Sequence, residues 1–320
     1  MTAPTDTIDR DTRATADALV QRIGQLGHVI VAFSGGVDSS VVAAAAHRST
    51  ADAIAVTAVS PSVPAWQRDL AVRIAAQIGI DHRWVETGEI ADPDYVRNDA
   101  RRCFHCKTNL YDSLGHIRRA MAPQGGATIL SGTNADDLGD YRPGIQAGRD
   151  HDIVTPLADL GIGKAMVRQV ADHFGLENAD LPASPCLASR LAYGVSVTHE
   201  RLAMVESAED WLRGQGFSDL RVRLHPGGLA RVEVPRSELP RLAGTELADE
   251  MSKKLVQIGF QFVTVEPTGL RSGNLNQALV QIPSPDSARS PDVARSADVA
   301  SSPDAVSPTV SASTRPPASA

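Results

Sequence analysis

The sequence has little excess charge of either sign, no long hydrophobic run, few aromatics and only three cysteines. Its 320 residues hold 31 Lys or Arg against 38 Asp or Glu, a formal charge of -7. That balance leaves no overall basic footprint for a nucleic acid, and any such contact would need a local patch. No uninterrupted apolar stretch reaches the length that spans a bilayer. The cysteines are odd in number, with Cys103 and Cys106 close together and Cys186 far off, which is not the pattern of an extracellular disulfide framework. Met1 to Arg13 is polar and carries Asp6, Asp9 and Asp11, unlike a secretory signal, so a cytoplasmic location is expected. The length is ample for two domains.

What is present is organised around Ser34-Gly35-Gly36-Val37-Asp38-Ser39-Ser40, set between the apolar run His28 to Phe33 and the alanine-rich run Val41 to His47. The first run reads as a buried parallel strand, the second as a packed helix, and the glycine pair as the turn between them. Such a turn makes an anion cradle: glycines let backbone N–H groups approach a phosphate, Ser34, Ser39 and Ser40 add hydroxyls, and the helix dipole favours negative charge. Asp38 suits this site if Mg²⁺ bridges it to the phosphate. The plainer alternative is an ordinary strand-to-helix turn with Asp38 or Ser39 as N-cap. No lysine follows the glycines, so this is not the Gly-x-x-x-x-Gly-Lys-Ser/Thr loop. The segment resembles the SGGxDS loop of the PP-loop ATP pyrophosphatases. That resemblance implies cleavage of ATP between its α and β phosphates, leaving AMP on an acceptor oxygen.

Around the loop, helices are expected at Asp17–Leu26, Pro64–Ile78, Lys107–Met121 and Gly163–Phe174. Strands are expected at His28–Phe33, Ala53–Val59, His82–Glu86 and Thr128–Ser131. The alternation predicts an α/β fold, a doubly wound parallel sheet with right-handed crossovers and its ligand at the carboxyl ends of the strands. Ser34, Ser60 and the stretch Ser131 to Asp137 fall on that rim. Gly132 would admit an adenosine or ribose, and Asp136 and Asp137 would hold Mg²⁺ or a hydroxyl, or else the segment is a helix cap with Asx turns. Arg142, in Asp140-Tyr141-Arg142-Pro143-Gly144, is a candidate phosphate fork, and Lys164 either meets phosphate or is a surface lysine.

Cys103-Phe104-His105-Cys106-Lys107 spaces two thiols for a shared metal, and Cys186 stands in Ser184-Pro185-Cys186-Leu187-Ala188-Ser189-Arg190. Three thiolates suit a [4Fe–4S] cluster with one iron left open. Catalytic thiols without a cluster, a zinc site completed by a histidine, and inert buried thiols remain open alternatives. With the ATP loop, the thiols suggest adenylation of an acceptor oxygen followed by its replacement by sulfur.

Beyond a proline-rich hinge the pattern changes to a small α+β unit. It comprises a helix over Val197–Gly216, strands at Leu220–Leu224 and Leu229–Val234 joined by Pro226-Gly227-Gly228, a helix over Gly244–Ile258 and a strand at Gln261–Val265. Arg221 and Arg223 share a strand face, which makes a candidate phosphate site or a pair of salt bridges to Glu209 and Glu233. From Pro283 the chain is Ser, Pro, Ala, Asp and Val without aromatics, a composition that predicts disorder.

Taken in order, SGGVDSS, CFHCK, SGTNADD, DYRPG, PCLASR and LRVRLHPGGLARVEV resemble the LarE family of ATP-dependent sulfur transferases, from about Thr15 to Ile282. The resemblance implies a PP-loop ATP pyrophosphatase domain over 1–185, a small α+β domain over 186–282 and a tail over 283–320. The implied substrate is pyridinium-3,5-biscarboxylic acid mononucleotide, whose carboxylates would be adenylated and turned into thiocarboxylates for a nickel-pincer cofactor. It implies ATP contacts from Ser34, Gly35, Gly36, Asp38, Ser39, Ser40, Ser60, Gly132, Asp137 and Arg142, and substrate contacts from Ser189, Arg190, Glu209, Arg221, Arg223 and Glu233. Some members carry a single sacrificial cysteine at the position of Cys186. Others carry three that hold a [4Fe–4S] cluster relaying sulfide from a donor, and Cys103, Cys106 and Cys186 match that group. Homo-oligomers, often hexamers, are also implied, with no nucleic-acid or membrane partner. The rival classes are another PP-loop enzyme, a tRNA thiolase or an amidating synthetase of the GMP or NAD kind, and a non-catalytic nucleotide-binding regulator.

Overall fold

A computed structural model describes residues 4–121, 126–139, 143–182 and 184–271. Arg142 and the tail over 283–320 lie outside the described residues.

The first half builds a sheet from β1 (His28–Ala32), β2 (Asp52–Val59), β3 (Asp81–Glu86) and β4 (Thr128–Leu130). The order is β3-β2-β1-β4, every pair parallel. Parallel neighbours need crossovers, supplied here by α2 (Val37–Arg48), α3 (Ala65–Ile78) and α5 (Arg102–Met121). Side-chain alternation along β1 sorts the faces. Val29 and Val31 join the core under α1 (Pro4–Gly24), α2, α3 and α8 (Lys164–His173). Ile30 joins Ile54, Val56, Tyr111, Leu114 and Ala147 beneath α5 and α6 (Pro143–Asp150). The sheet is therefore doubly wound, as expected. Its strand order reverses between β1 and β4, and the crevice outside their carboxyl ends is where such sheets take ligands. The short helices α4 (Pro93–Val96) and α7 (Pro156–Asp159) were not foreseen. Nor was the start of α5 at Arg102 rather than Lys107, which places Cys103 and Cys106 on the helix itself.

The second half has its own sheet. β5 (Arg221–His225) and β6 (Leu229–Glu233) form the expected hairpin, and β7 (Phe262–Val265) pairs parallel to β6. α9 (His199–Gly214) and α11 (Thr245–Ile258) cover it, with the short α10 (Leu239–Leu242) between. This core also takes in Tyr95, and Ile90, Val96 and Cys106 pack against it, so the two halves interlock. No helix among the described residues is long and apolar enough to cross a membrane.

Candidate active site

At the end of β1 the backbone turns through Gly35, whose φ of +72° is a left-handed conformation. A Cβ there would also stand 2.8 Å from the Cα of Ala71. Gly36 caps α2 with no side-chain bond, which leaves the first-turn N–H groups to an incoming anion. Ser34 is the outward hydroxyl. The side chain of Ser39 bonds inward, donating to the carbonyl of Gly36 (3.0 Å) and lying 3.1 Å from Ser34 Oγ. Ser40 is fully buried and donates to the same carbonyl at 2.9 Å. Asn178 Nδ2 braces the turn by donating to Gly35 O (2.8 Å) and Ser40 Oγ (2.9 Å).

The loop after β4 closes against this turn. A Cβ on Gly132 would lie 2.7 Å from Ser39 N and 2.9 Å from Asp38 C, so the glycine is needed to seat one loop on the other. Asn134 Nδ2 donates to Asp38 Oδ1 at 2.8 Å. Burial pushes the Asp38 carboxyl above its ordinary range; the Asn134 bond opposes this, and the charge of Asp137 adds to it. Asp136 takes the plainer role foreseen for this segment, accepting from the backbone N of Lys164 at 2.7 Å. Asp137 stands 3.3 Å from Lys164 Nζ. Two carboxylates and a lysine thus meet beside the phosphate turn. Hard oxygens at Asp38 and Asp137 are the donor set that Mg²⁺ prefers.

Ser60, at the end of β2, is buried and donates to Glu89 Oε1. Nothing in the sequence around Glu89 marked it. Ser62 N donates to Ser60 Oγ (3.0 Å), and Ser62 O accepts from Leu187 N (2.8 Å), the residue after Cys186. Arg102 ties the far cysteine to the near pair. It donates to Ala188 O at 2.9 Å and lies 3.9 Å from Cys103 Sγ. All three thiols are free, and Cys106 and Cys186 pack against the second core. Burial pushes the Cys106 thiol up, with Cys186 and Glu89 adding to the effect. Burial works against the charge of Arg102, but Cys186 and Cys103 more than offset it. Lys107 is likewise held up, by Tyr111 first and the thiols after it. Among the described residues no three or more His, Cys, Asp or Glu groups gather for a metal ion, so neither the zinc alternative nor a cluster on the three cysteines draws support from this geometry.

The two arginines of β5 divide. Arg223 is buried, with Nε and Nη2 on Glu233 Oε2 (3.1 and 3.0 Å) and Nη1 on Ser189 O (2.8 Å). Arg221 forms no ion pair among the described residues, and burial followed by the charge of Arg190 disfavours its protonated form. It faces a cavity of about 490 Å³ with Arg190, Arg213, Trp66 and Ser184. Arg190 donates to Glu209 Oε1 (2.9 Å), Cys186 O (3.2 Å) and Ser189 Oγ (3.1 Å). Glu209 and Glu233 reach no solvent; Glu209 serves as counter-ion to Arg190 and Arg213, and Glu233 to Arg223 and Arg231. Arg213 and Trp66 were not foreseen, since only the fold brings them to the cavity.

A glycine turn aimed at phosphate, at the switch point of a parallel sheet and with aspartate beside it, defines an ATP-using enzyme of the PP-loop class. The asparagine synthase family model matches residues 12–139. A finer comparison comes from whole-length relatives. The pyridinium-3,5-bisthiocarboxylic acid mononucleotide synthase of Lactiplantibacillus plantarum is 33% identical over 275 residues, 84% of this chain and 97% of that protein. An uncharacterized protein of Synechocystis is 40% identical over 82% of this chain and 97% of its own length. Another, of Methanocaldococcus jannaschii, is 25% identical over 74% and 88%. The chain belongs to the LarE family, and it is an ATP-dependent sulfurtransferase.

Proposed function

We propose that the chain adenylates the carboxylates of pyridinium-3,5-biscarboxylic acid mononucleotide and replaces the activated oxygens with sulfur, giving the bisthiocarboxylate. The Lactiplantibacillus relative bears that product in its name. The observation that carries the reading is Arg190, which bonds the carbonyl of Cys186 while lining the cavity of Arg221, an arginine with no ion pair among the described residues. An anionic substrate held there would lie beside the segment that carries Cys186.

The α2 turn holds the ATP phosphates through Ser34, Gly35, Gly36 and Ser39, with Ser40 bracing it. Asp38 would hold Mg²⁺, which would supply charge neutralisation at the phosphates, and Ser60, Gly132, Asp137 and Arg142 complete the nucleotide site. A substrate carboxylate oxygen attacks the α-phosphorus, and pyrophosphate leaves with the electron pair of the broken bond. Hydrosulfide sulfur then bonds the carboxyl carbon as AMP leaves with its oxygen, and the remaining sulfur-bound proton passes to solvent. Arg221 and Arg190 hold the substrate phosphate, with Ser189 beside them, while Arg223, Glu209 and Glu233 fix their places. Residues 1–185 carry the nucleotide half of the site and 186–282 the substrate half, in a cytoplasmic homo-oligomer fed by a separate sulfide donor.

Cys103, Cys106 and Cys186 fit a [4Fe–4S] cluster by donor chemistry, being three free thiols with Arg102 and Lys107 as nearby cations. A cluster held there supplies an iron at which sulfide can be kept for delivery. Anaerobic reconstitution with iron and sulfide analysis tests this. About four irons per chain are expected, and Cys103→Ser is expected to lose sulfur transfer while retaining most pyrophosphate release. Iron below one per chain with activity intact would favour sacrifice of Cys186 instead.

A further inference from the structure

Trp66 walls the cavity that Arg190 and Arg221 line, yet it has no part in the steps above. It stands half-buried in the first turn of α3. Contacts on two sides fix that turn between the ATP loop and the substrate cavity. On one side the next residue, Gln67, donates to Ser34 O at 3.5 Å, and Ala71 lies so near Gly35 that a Cβ on the glycine would stand 2.8 Å from its Cα. On the other side Ala65 N donates to Glu206 Oε1 of α9 at 2.7 Å. Arg213, from the same helix and the same cavity wall, holds its guanidinium carbon 5.5 Å from the centre of the Trp66 ring. The indole face on that side therefore looks into the cavity and already stands opposite a cation. Glu209 and Asp210 pair with Arg213, so its own charge is met. The other aromatic wall, Phe217, is buried and has Arg241 over its ring at 3.7 Å.

We propose that Trp66 is the platform on which the pyridinium ring stacks, and so the residue by which the site selects a cationic aromatic base. The proposal rests on the substrate reading given above. In that substrate the ring lies between the ribose phosphate and the carboxylates. With the phosphate on Arg190 and Arg221 and the carboxylates directed to the ATP turn, the ring falls along the first turn of α3, where Trp66 stands. Indole is the best of the aromatic faces for a cation, and a pyridinium ring is flat, electron-poor and positively charged, so stacking adds electrostatic attraction to the burial of both faces. An aliphatic wall would supply burial alone. Trp66 Nε1 meets no partner among the described residues, so Trp66→Phe keeps a ring and forfeits no hydrogen bond.

The test uses the full chain with a non-hydrolysable ATP analogue and Mg²⁺, as wild type, Trp66→Phe, Trp66→Leu and Arg221→Ala. Each is titrated by calorimetry with pyridinium-3,5-biscarboxylic acid mononucleotide and with ribose 5-phosphate, which lacks the ring. Trp66→Leu is expected to bind the mononucleotide about 10-fold more weakly, the worth of a desolvated cation–π contact. Trp66→Phe should fall between, and both should bind ribose 5-phosphate as wild type does, whereas Arg221→Ala should weaken both ligands. On binding the mononucleotide, wild type should also gain the long-wavelength absorption band of an indole stacked on a pyridinium, which Trp66→Phe loses. Wild-type affinity of Trp66→Leu for the mononucleotide, or equal weakening toward both ligands, overturns the role of Trp66 alone. Wild-type binding of both ligands by Arg221→Ala puts the substrate elsewhere and overturns the substrate reading and this proposal with it. Should Trp66→Leu not fold, the absorption band decides: present in wild type and lost in Trp66→Phe it supports the stack, and absent from wild type it overturns it.

Discussion

Asp38 sits where chemistry and folding want opposite protonation states. Its carboxyl is raised by burial against the opposing bond from Asn134, so the folded chain binds this proton more tightly than the unfolded chain. Stability contributed by the group is therefore lost as pH rises from its unfolded value, near 3.8, through the raised folded value, and it stays lost above. Asp38→Asn removes that penalty but also the anionic oxygen proposed to hold Mg²⁺. The expected outcome is a melting temperature above wild type at neutral pH, the gap closing near pH 4, with pyrophosphate release down by about 10²-fold. Calorimetry across pH and a pyrophosphate assay check both halves. Arg221 and Arg223 make a second contrast. Arg223→Ala strips Glu233 of a buried partner and is expected to destabilise by about 3 kcal/mol. Arg221→Ala breaks no ion pair among the described residues; it is expected to leave the melting temperature unchanged while raising KM for the substrate about 10-fold, the worth of one charge-assisted bond. Equal effects of the two substitutions on KM and on stability would contradict the division.

The turn at the start of α2 and the loop after β4 function only as a seated pair, and Gly132 is the contact. Gly132→Ala brings a Cβ within 2.7 Å of Ser39 N, and backbone atoms cannot step aside as side chains do. A loss of roughly 1–3 kcal/mol in denaturant unfolding, together with weakened ATP binding, is expected; unchanged ATP affinity would mean that the two loops do not act together. The glycine itself was legible in the sequence, but its reason was not: it was expected to admit the nucleotide, whereas the structure puts a backbone amide against it. Local patterns read well where they are local. The strand, turn and helix of the phosphate loop, the parallel sheet and the arginine hairpin all follow from periodicity and turn chemistry. The start of α5 was missed although Asp99 signals it, accepting from Arg101 N at 2.7 Å. The division of Arg221 from Arg223 was hidden because strand alternation gives both the same face and Glu233 stands directly across from Arg221, yet its carboxylate is taken diagonally by Arg223. Glu89 had no local signal at all, since its burial comes from α5 and the second core closing over it.

The thiols are drawn from both halves of the chain, so the site exists only while the halves hold together. Their seam is polar and specific. Asn98, fully buried with φ of +58°, donates from Nδ2 to Ala192 O (2.9 Å) and Val195 O (2.7 Å), and its Oδ1 accepts from Arg102 at 2.6 Å. Nearby, Val197 N donates to Val96 O (2.9 Å), and Ala65 N donates to Glu206 Oε1 (2.7 Å). With Tyr95 set in the second core, neither half can unfold without baring buried apolar and polar groups of the other. A single calorimetric transition is therefore expected from two sheets with separate cores. A non-hydrolysable ATP analogue with Mg²⁺, which touches the first half, should move the whole transition upward, by about 2.7 kcal/mol at a hundred times its Kd. Asn98→Gly tolerates the left-handed backbone and deletes only the amide, so it tests the seam itself. In that variant the transition should broaden or divide, with the analogue shifting only the nucleotide half, and sulfur transfer should fall further than pyrophosphate release. An undivided peak, shifted as in wild type and with both activities reduced alike, would show that the halves cohere without the Asn98 clamp.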